Sequence, residues 1–250
     1  MRLKNKIAVV TGGGSGIGKA IATQFATQGA QVVVAEKNRA AGIEAAEAIN
    51  AAGAKADFLE VDVTDERAME TVFAEAKRLH GRVDILVNNA GGSLPEDGPV
   101  SEVPLDIFWR TIKLDLFGTW LGCRNVIPLM EEAGGGSIIN IVSFYGLIGS
   151  PHRDSYTAAK GAVIALTRSM AIEYAASKIR VNAIAPGTTL TERSQRLVNN
   201  IPALQYLRER HLLGFVEPDD IAQMAIYLAS EESQRTTGQI MSIDSGLTVA

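Results

Sequence analysis

The chain has 250 residues with a formal net charge of −4 and is 46% hydrophobic, which suffices for one large α/β domain over residues 1–250 with its own core. The acidic balance and the lack of any Lys/Arg block exclude the electrostatic footprint of a nucleic-acid partner. No apolar run approaches bilayer length, so no membrane partner is expected; Met1 to Lys6 lacks the apolar core of a signal peptide, and a lone cysteine, Cys123, excludes an internal disulfide and fits a reducing cytoplasm.

The first apolar run, Ile7 to Val10, predicts a strand and leads into Thr11-Gly12-Gly13-Gly14-Ser15-Gly16-Ile17-Gly18 at the head of a helical pattern. A glycine turn between strand and helix is a phosphate site. Gly12 takes the tight turn, Gly16 lets a pyrophosphate approach backbone N–H groups, and Gly18 allows close helix packing. The helix N-terminus, with Ser15 and Ile17 in it, then faces the anion. A second run, Gln31 to Ala35, ends at Glu36, eighteen residues past Gly18. An acidic side chain there accepts hydrogen bonds from ribose hydroxyls and repels a 2′-phosphate, a repulsion that Lys37 and Arg39 partly offset. NAD is therefore favoured over NADP. A third run, Ala56 to Val61, leads to Asp62 and Val63, with Asp62 placed to contact the adenine edge.

Further runs at Val83 to Val87, Ser137 to Val142, Ile179 to Ile184 and Gln239 to Ile243 bring the expected strands to seven. Near-continuous apolar strands separated by helices predict βαβ units, hence a parallel, doubly wound sheet covered on both faces with right-handed crossovers. Two longer helices are predicted, from about Leu105 to Met130 and from about Ser155 to Ala175. Their small residues, Gly118, Gly122, Gly161, Ala162 and Ala165, would let helices of two subunits approach closely.

The second long helix opens with Ser155-Tyr156-Thr157-Ala158-Ala159-Lys160, and an i, i+4 pair shares one helix face. Tyrosine is a poor base: its reference pKa is about 10, and each unit of depression corresponds to about 1.4 kcal/mol. A fixed ammonium supplies part of that. Ser143, thirteen residues before Tyr156 and just after an apolar run, is placed to hydrogen-bond the substrate oxygen that Tyr156 protonates or deprotonates. Cys123 falls in an apolar helix pattern and reads as packing.

Over essentially the whole chain these motifs resemble the short-chain dehydrogenase/reductase family: the glycine turn Thr11 to Gly18, Asn88-Asn89-Ala90-Gly91 after the fourth strand, Ser143, Tyr156, Lys160, and Pro186-Gly187 followed by Thr191. The resemblance implies a single-domain Rossmann fold, usually a homotetramer, that moves a hydride between C4 of a nicotinamide and a carbonyl or alcohol carbon. It implies Tyr156 as the acid/base, Lys160 as the residue that holds the nicotinamide ribose and depresses the tyrosine pKa, and Ser143 as the group polarising the substrate oxygen. It also implies that Asn88, Asn89, Ala90 and Gly91 steady the central sheet and line the cofactor cleft. Pro186, Gly187, Thr189 and Thr191 would line the nicotinamide and its phosphate, with Thr188 nearby through its backbone. Ser15 stands where phosphate-preferring relatives often have a basic residue, in agreement with Glu36. One departure matters. Relatives carry Asn in a run like Asn-Leu-x-Gly, and the corresponding run here is Asp115-Leu116-Phe117-Gly118, so the fourth catalytic position is acidic. A charged Asp115 near Lys160 weakens the pull of the ammonium on Tyr156 and displaces the pH optimum upward.

The expected substrate is a small secondary alcohol or ketone. Ser143, Phe144, Tyr145, Arg153 and Tyr156 should line its pocket, with Gly92 to Leu94 and His152 at the rim and Thr189 to Leu213 as a mobile lid. Arg153, Arg193 and Arg196 either hold an anionic substrate group or are solvated lid residues. A 3-oxoacyl reductase using NADP and a non-catalytic dinucleotide sensor are the alternatives. The acidic Met130-Glu131-Glu132 opposes the first, because a carrier protein is itself acidic; the intact Ser143, Tyr156 and Lys160 oppose the second. No metal is expected, since His152 has no companion ligand.

Overall fold

The computed structural model describes residues 1–198 and 203–250, and the side chains of all of these except 196–198 and 203–206. Seven strands, β1 (Ile7–Thr11), β2 (Gln31–Glu36), β3 (Lys55–Glu60), β4 (Ile85–Asn88), β5 (Gly136–Ile141), β6 (Ile179–Pro186) and β7 (Ile240–Ile243), form one parallel sheet in the order β3-β2-β1-β4-β5-β6-β7. Each lies where an apolar run predicts it, with ends displaced by two residues at most.

Their apolar runs are continuous because both sheet faces are covered. On β1, Ala8 and Val10 pack toward Ile21 and Phe25 of α1 (Gly16–Thr27) and toward Ile221 and Ala225 of α9 (Pro218–Ala229). Val9 between them points the other way, toward Met69 and Phe73 of α3 (Glu66–His80) and Leu121 and Val126 of α5 (Gly118–Ala133). Each such aliphatic side chain contributes about 1.5–3 kcal/mol on burial, so a polar residue on either face would cost stability. The remaining helices are α2 (Arg39–Ala51), α4 (Leu105–Thr111), α6 (Asp154–Glu173), α7 (Glu192–Val198) and α8 (Ala203–Arg210). Among the described residues no helix is long and apolar enough to cross a membrane.

Successive strands run from β1 outward through β2 and β3, and the chain then returns to add β4 on the other side of β1, where Val9 pairs with Leu86. Such a reversal opens a crevice at the carboxyl ends of the two central strands.

Two expectations are corrected. The helix expected from Leu105 to Met130 is interrupted: between α4 and α5 the segment Ile112–Phe117 is π-helical. A π segment inserts an extra residue per turn and so re-aims a side chain that a regular helix would direct elsewhere; that segment carries Asp115. Second, Gly118 and Gly122 are used within the subunit. A Cβ on Gly118 would lie 2.8 Å from Val63 Cγ2, and one on Gly122 would overlap Asn88 Oδ1. Gly161, by contrast, has open space where a side chain would begin. In the expected lid, residues 199–202 and the Arg196 side chain lie outside the described residues.

Candidate active site

The glycine turn, Glu36, Asp62, Asn88 to Gly91, Ser143 and Pro186-Gly187 end or follow strands at the carboxyl edge of the sheet. The glycine turn follows β1 and is held from β4: Asn89 Nδ2 donates to the carbonyls of Thr11 (3.0 Å) and Gly12 (3.1 Å), while Thr11 Oγ1 accepts from the N–H groups of Asn89 (3.0 Å) and Ala90 (3.1 Å). Gly12 has φ +64°, and a Cβ there would lie 2.9 Å from Ala90 Cα. A methyl on Gly18 would run into the Gly12 carbonyl oxygen and Asn89 Nδ2. Gly18→Ala is accordingly expected to destabilise the protein by about 1–3 kcal/mol through overpacking and to weaken dinucleotide binding, as thermal melting and NADH fluorescence titration would report. Unchanged melting and binding would contradict this account of the turn.

The N-terminal turn of α1 fits a phosphate group. Ser15 caps it in extended conformation without a side-chain bond, and no acidic residue occupies the first turn, so its N–H groups face no competing anion. Thr191 Cγ2 lies beside Gly16, closing the turn from the β6 side. At the end of β2, Glu36 accepts from the N–H of Gly14 (3.2 Å) and of Asn38 (2.8 Å), which sets its carboxylate against the glycine turn.

Asp62 follows β3. Its carboxylate is engaged locally, by Thr64 N–H (3.0 Å) and hydroxyl (2.8 Å) and by Lys37 (2.6 Å). Burial pushes its pKa up, but Lys37 and Thr64 outweigh it and hold the group below the usual carboxylate value. It organises the turn after β3. Val63 is buried and packs at Gly118. Arg39 is likewise paired, with Glu60 at 3.0 Å.

Ser143, Tyr156 and Lys160 converge. Ser143 follows β5 and caps a 3₁₀ turn, Phe144–Gly146, its Oγ accepting from Tyr145 N–H at 3.3 Å and lying near enough to the Tyr156 phenol to influence its ionisation. Tyr145 meets the Tyr156 ring edge-on with centroids 5.9 Å apart, and Phe144 stacks on Tyr145 at 4.2 Å. Lys160 Nζ lies 5.5 Å from the Tyr156 ring centre and donates to the Ile141 carbonyl (3.0 Å) and to Asp115 Oδ1 (3.1 Å). Asp115 is fully buried; its Oδ1 also accepts from Gly92 N–H at 2.9 Å, and its Oδ2 has no partner.

Charges here oppose one another. Burial raises the Tyr156 pKa, Lys160 lowers it, Asp115 raises it again and the Ser143 hydroxyl lowers it; the balance lies above the ordinary tyrosine value. The depression expected from Lys160 is real but outweighed by burial and Asp115. For Lys160, burial works against the ammonium, yet Asp115 and Tyr156 prevail and its pKa is raised, so it stays charged.

Sequence reasoning missed Asp97. Arg153, the N-cap of α6, makes no side-chain cap bond. The carboxylate of Asp97, from the loop after β4, accepts instead from Ser155 N–H (3.2 Å) and Tyr156 N–H (3.0 Å), along with its neighbour Gly98 (2.9 Å). It thus fixes the first turn of the helix that carries Tyr156. An Asp-Gly pair in a loop signals a turn, but nothing in the sequence links it to a helix 58 residues away. Arg153 donates to the carbonyls of Asp97 (3.3 Å) and His152 (2.9 Å), and Arg193 donates to the Ser93 carbonyl, so both guanidinium groups contact backbone.

Beneath the crevice, Asn88 Nδ2 donates to Asn140 (2.9 Å) and lies 3.3 Å from Cys123 Sγ, and Asn140 donates to Thr167 (2.9 Å), tying β4, β5 and α6 together. Burial pushes the Cys123 thiol up to about 12, as befits packing rather than chemistry. After β6, Thr189 Oγ1 donates to the Gly187 carbonyl (3.1 Å) and Thr191 N–H to Ser194 Oγ (2.8 Å).

Known proteins share this arrangement along the whole chain. A family model described as enoyl-(acyl carrier protein) reductase matches residues 12–248. An uncharacterised oxidoreductase of Bacillus subtilis is 40% identical over 98% of this chain and 92% of its own length. A cis-4-hydroxycyclohexanecarboxylate dehydrogenase of Sinomonas cyclohexanicum is 38% identical over 97% and 96%. A solved 7α-hydroxysteroid dehydrogenase, complexed with NADH and 7-oxo glycochenodeoxycholic acid, superposes with a TM-score of 0.93 at 36% identity, covering 98% of this chain and 95% of that one. With one seven-stranded parallel sheet, a glycine turn clamped from β4 and relatives matching end to end, the chain belongs to the short-chain dehydrogenase/reductase family, NAD(P)-dependent oxidoreductases acting on CH–OH groups.

Proposed function

We propose that the protein interconverts a secondary alcohol and its ketone with NAD(H), as a single domain whose stretch 189–213 serves as the substrate lid. The carrying observation is the Lys160 ammonium 5.5 Å from the Tyr156 ring centre, with the Ser143 hydroxyl beside the same phenol. In oxidation, Tyr156 as phenolate takes the proton of the substrate hydroxyl while Ser143 donates a hydrogen bond to the same oxygen. Reduction reverses the transfer, Tyr156 returning the proton. When bound, the oxidised nicotinamide accepts the hydride and adds a positive charge that favours phenolate, so alkaline pH favours oxidation. Of the three N–H donors of Lys160, two are engaged by Asp115 and Ile141, leaving one for a ribose hydroxyl.

Glu36 supports NAD over NADP: its carboxylate stands against the glycine turn, and the cations that would offset a 2′-phosphate are themselves paired, Lys37 with Asp62 and Arg39 with Glu60. An alicyclic substrate is supported by the Sinomonas relative's name and by the aromatic wall Phe144, Tyr145 and Tyr156, which suits a flat apolar ring face. Leu105, Trp109, Phe117 and Trp120, each exposed on or beside the π segment, are consistent with a homotetramer. The buried thiol of Cys123 is compatible with a cytoplasmic location.

Nicotinamide absorbance with cyclohexanols, cyclohexanones, hydroxysteroids and acyclic alcohols tests the reading. Turnover is expected at least tenfold faster with NAD(H) than with NADP(H), and Glu36→Ser is expected to narrow that ratio. Equal rates with both cofactors would remove the assignment to Glu36. Tight NADH binding with no turnover on any of these compounds would identify a sensor instead.

A further inference from the structure

We propose that His211 is a positioning residue: it latches the end of α8 to the segment after β6, and the latch holds only while its imidazole is neutral. Its relevance to cofactor binding rests on the reading above, in which Gly187 to Thr191 faces the nicotinamide.

His211 directly follows α8, and only 3% of its surface is exposed. Its Nε2 lies 2.9 Å from Thr188 N, and its Nδ1 lies 2.6 Å from the Leu207 carbonyl oxygen. A backbone N–H can only donate, so Nε2 must offer its lone pair to Thr188. The single ring proton therefore sits on Nδ1 and is donated to Leu207. Two backbone groups, one on each side, set the tautomer.

The ring is tightly enclosed. Phe215 meets it edge-on with centroids 5.1 Å apart, and a Cβ on Gly187 would lie 2.8 Å from Nε2. On its other side the Thr188 segment is tied to Val216: Val216 N–H donates to the Thr188 carbonyl (3.0 Å) and Leu190 N–H to the Val216 carbonyl (2.8 Å). His211 thus completes a two-sided grip on Thr188 to Leu190.

Charged neighbours come from each packed element. From α8 they are Arg208, whose guanidinium lies 5.7 Å from the Phe215 ring, Glu209, and Arg210, which donates to the Leu247 and Ala250 carbonyls. From the end of β7 comes Asp244, beside Gly187, its carboxylate taken by Gly246 N–H and by the N–H and hydroxyl of Thr248. Glu217 begins the next helix.

A second proton on the ring would turn Nε2 into a donor facing the Thr188 donor. The bond would be lost and a buried N–H left without an acceptor, so the end of α8 and the Thr188 segment would separate together. Protonation of the ring would therefore open the latch.

The test compares wild type with His211→Gln and His211→Phe at pH 8 and pH 5.5. The Gln carboxamide oxygen reaches as far as Nε2 and accepts at either pH, whereas Phe cannot accept. Two quantities are read: amide exchange at Thr188 in the cofactor-free protein, corrected for its intrinsic pH dependence, and NADH affinity by fluorescence. His211→Phe is expected to lose roughly tenfold in Thr188 protection and to bind NADH more weakly at both pH values, His211→Gln to keep both, and any acid loss of protection in wild type to be absent from His211→Gln. Wild-type protection of Thr188 in His211→Phe at pH 8, or a wild-type acid response in His211→Gln, would overturn the latch. Absence of NADH and NADPH binding to wild type at pH 8 would overturn the functional reading, with Thr188 exchange still deciding the latch.

Discussion

Tyr156→Phe is expected to lower turnover by a factor of about 10²–10⁴, the usual contribution of a positioned acid or base, while leaving NADH affinity and thermal stability close to those of wild type. The substitution removes one oxygen and keeps the ring. That ring's edge-on contact with Tyr145, at 5.9 Å, and the position of Lys160 over its face depend on the aromatic body rather than on the hydroxyl. Ser143 keeps Tyr145 N–H as its hydrogen-bond partner whichever ring stands at position 156. Steady-state kinetics beside NADH titration and melting separate the cases. A variant with unimpaired turnover would place the proton transfer elsewhere, and loss of turnover together with NADH binding and melting temperature would indicate a damaged fold.

Asp115 should govern both the pH profile and the stability of the site. Its carboxylate raises the pKa of Tyr156 and of Lys160. Oxidation needs the phenolate, so its rate climbs as pH rises through the phenol's pKa. Removing the negative charge lowers that pKa, so in Asp115→Asn the rising limb of kcat/KM should move to lower pH. Superimposable limbs for the two proteins would show that Asp115 carries no charge that Tyr156 senses. Asp115→Ala goes further. Lys160 and Asp115 are almost entirely buried, with side chains 4% and 0% exposed, and deleting one member leaves an ammonium with only the Ile141 carbonyl. Breaking a buried pair in this way costs about 3–5 kcal/mol, which for a chain of this size lowers the melting temperature by roughly 10 °C. A melting temperature within a degree or two of wild type would mean that solvent compensates the lysine.

Some of the site was open to reading because the chemistry is local. Tyr156 and Lys160 are one helical turn apart, and the turn Gly12 to Gly18 sits between a strand and a helix, so periodicity alone places both. Partnerships across the chain were not visible. Asp62 and Arg153 stand out in sequence as ligand groups, and nothing there shows that Lys37 and Thr64 bond the first or the Asp97 and His152 carbonyls the second. The reverse holds for Asp97, unremarkable in its loop and tied in the structure to the N–H groups of Ser155 and Tyr156. Likewise Gly118 and Gly122 suggested a surface for a second subunit, whereas the core of the same subunit fills their space.

From sequence alone came the seven strands and their parallel pairing, the glycine turn, the carboxylate at the end of β2 and the acidic residue where relatives carry Asn. These follow from hydrophobic period, glycine placement and residue identity, which are properties of short stretches. The tertiary structure decided which groups remain available and which protonation state each favours. The π-helical register of Ile112–Phe117 brings Asp115 onto Lys160, burial sets the phenol's ionisation against the pull of the ammonium, and the Thr188 N–H selects the tautomer of His211. Hydrogen-bond partners and local dielectric arise only when residues far apart in the chain are packed together, so they cannot be read one segment at a time.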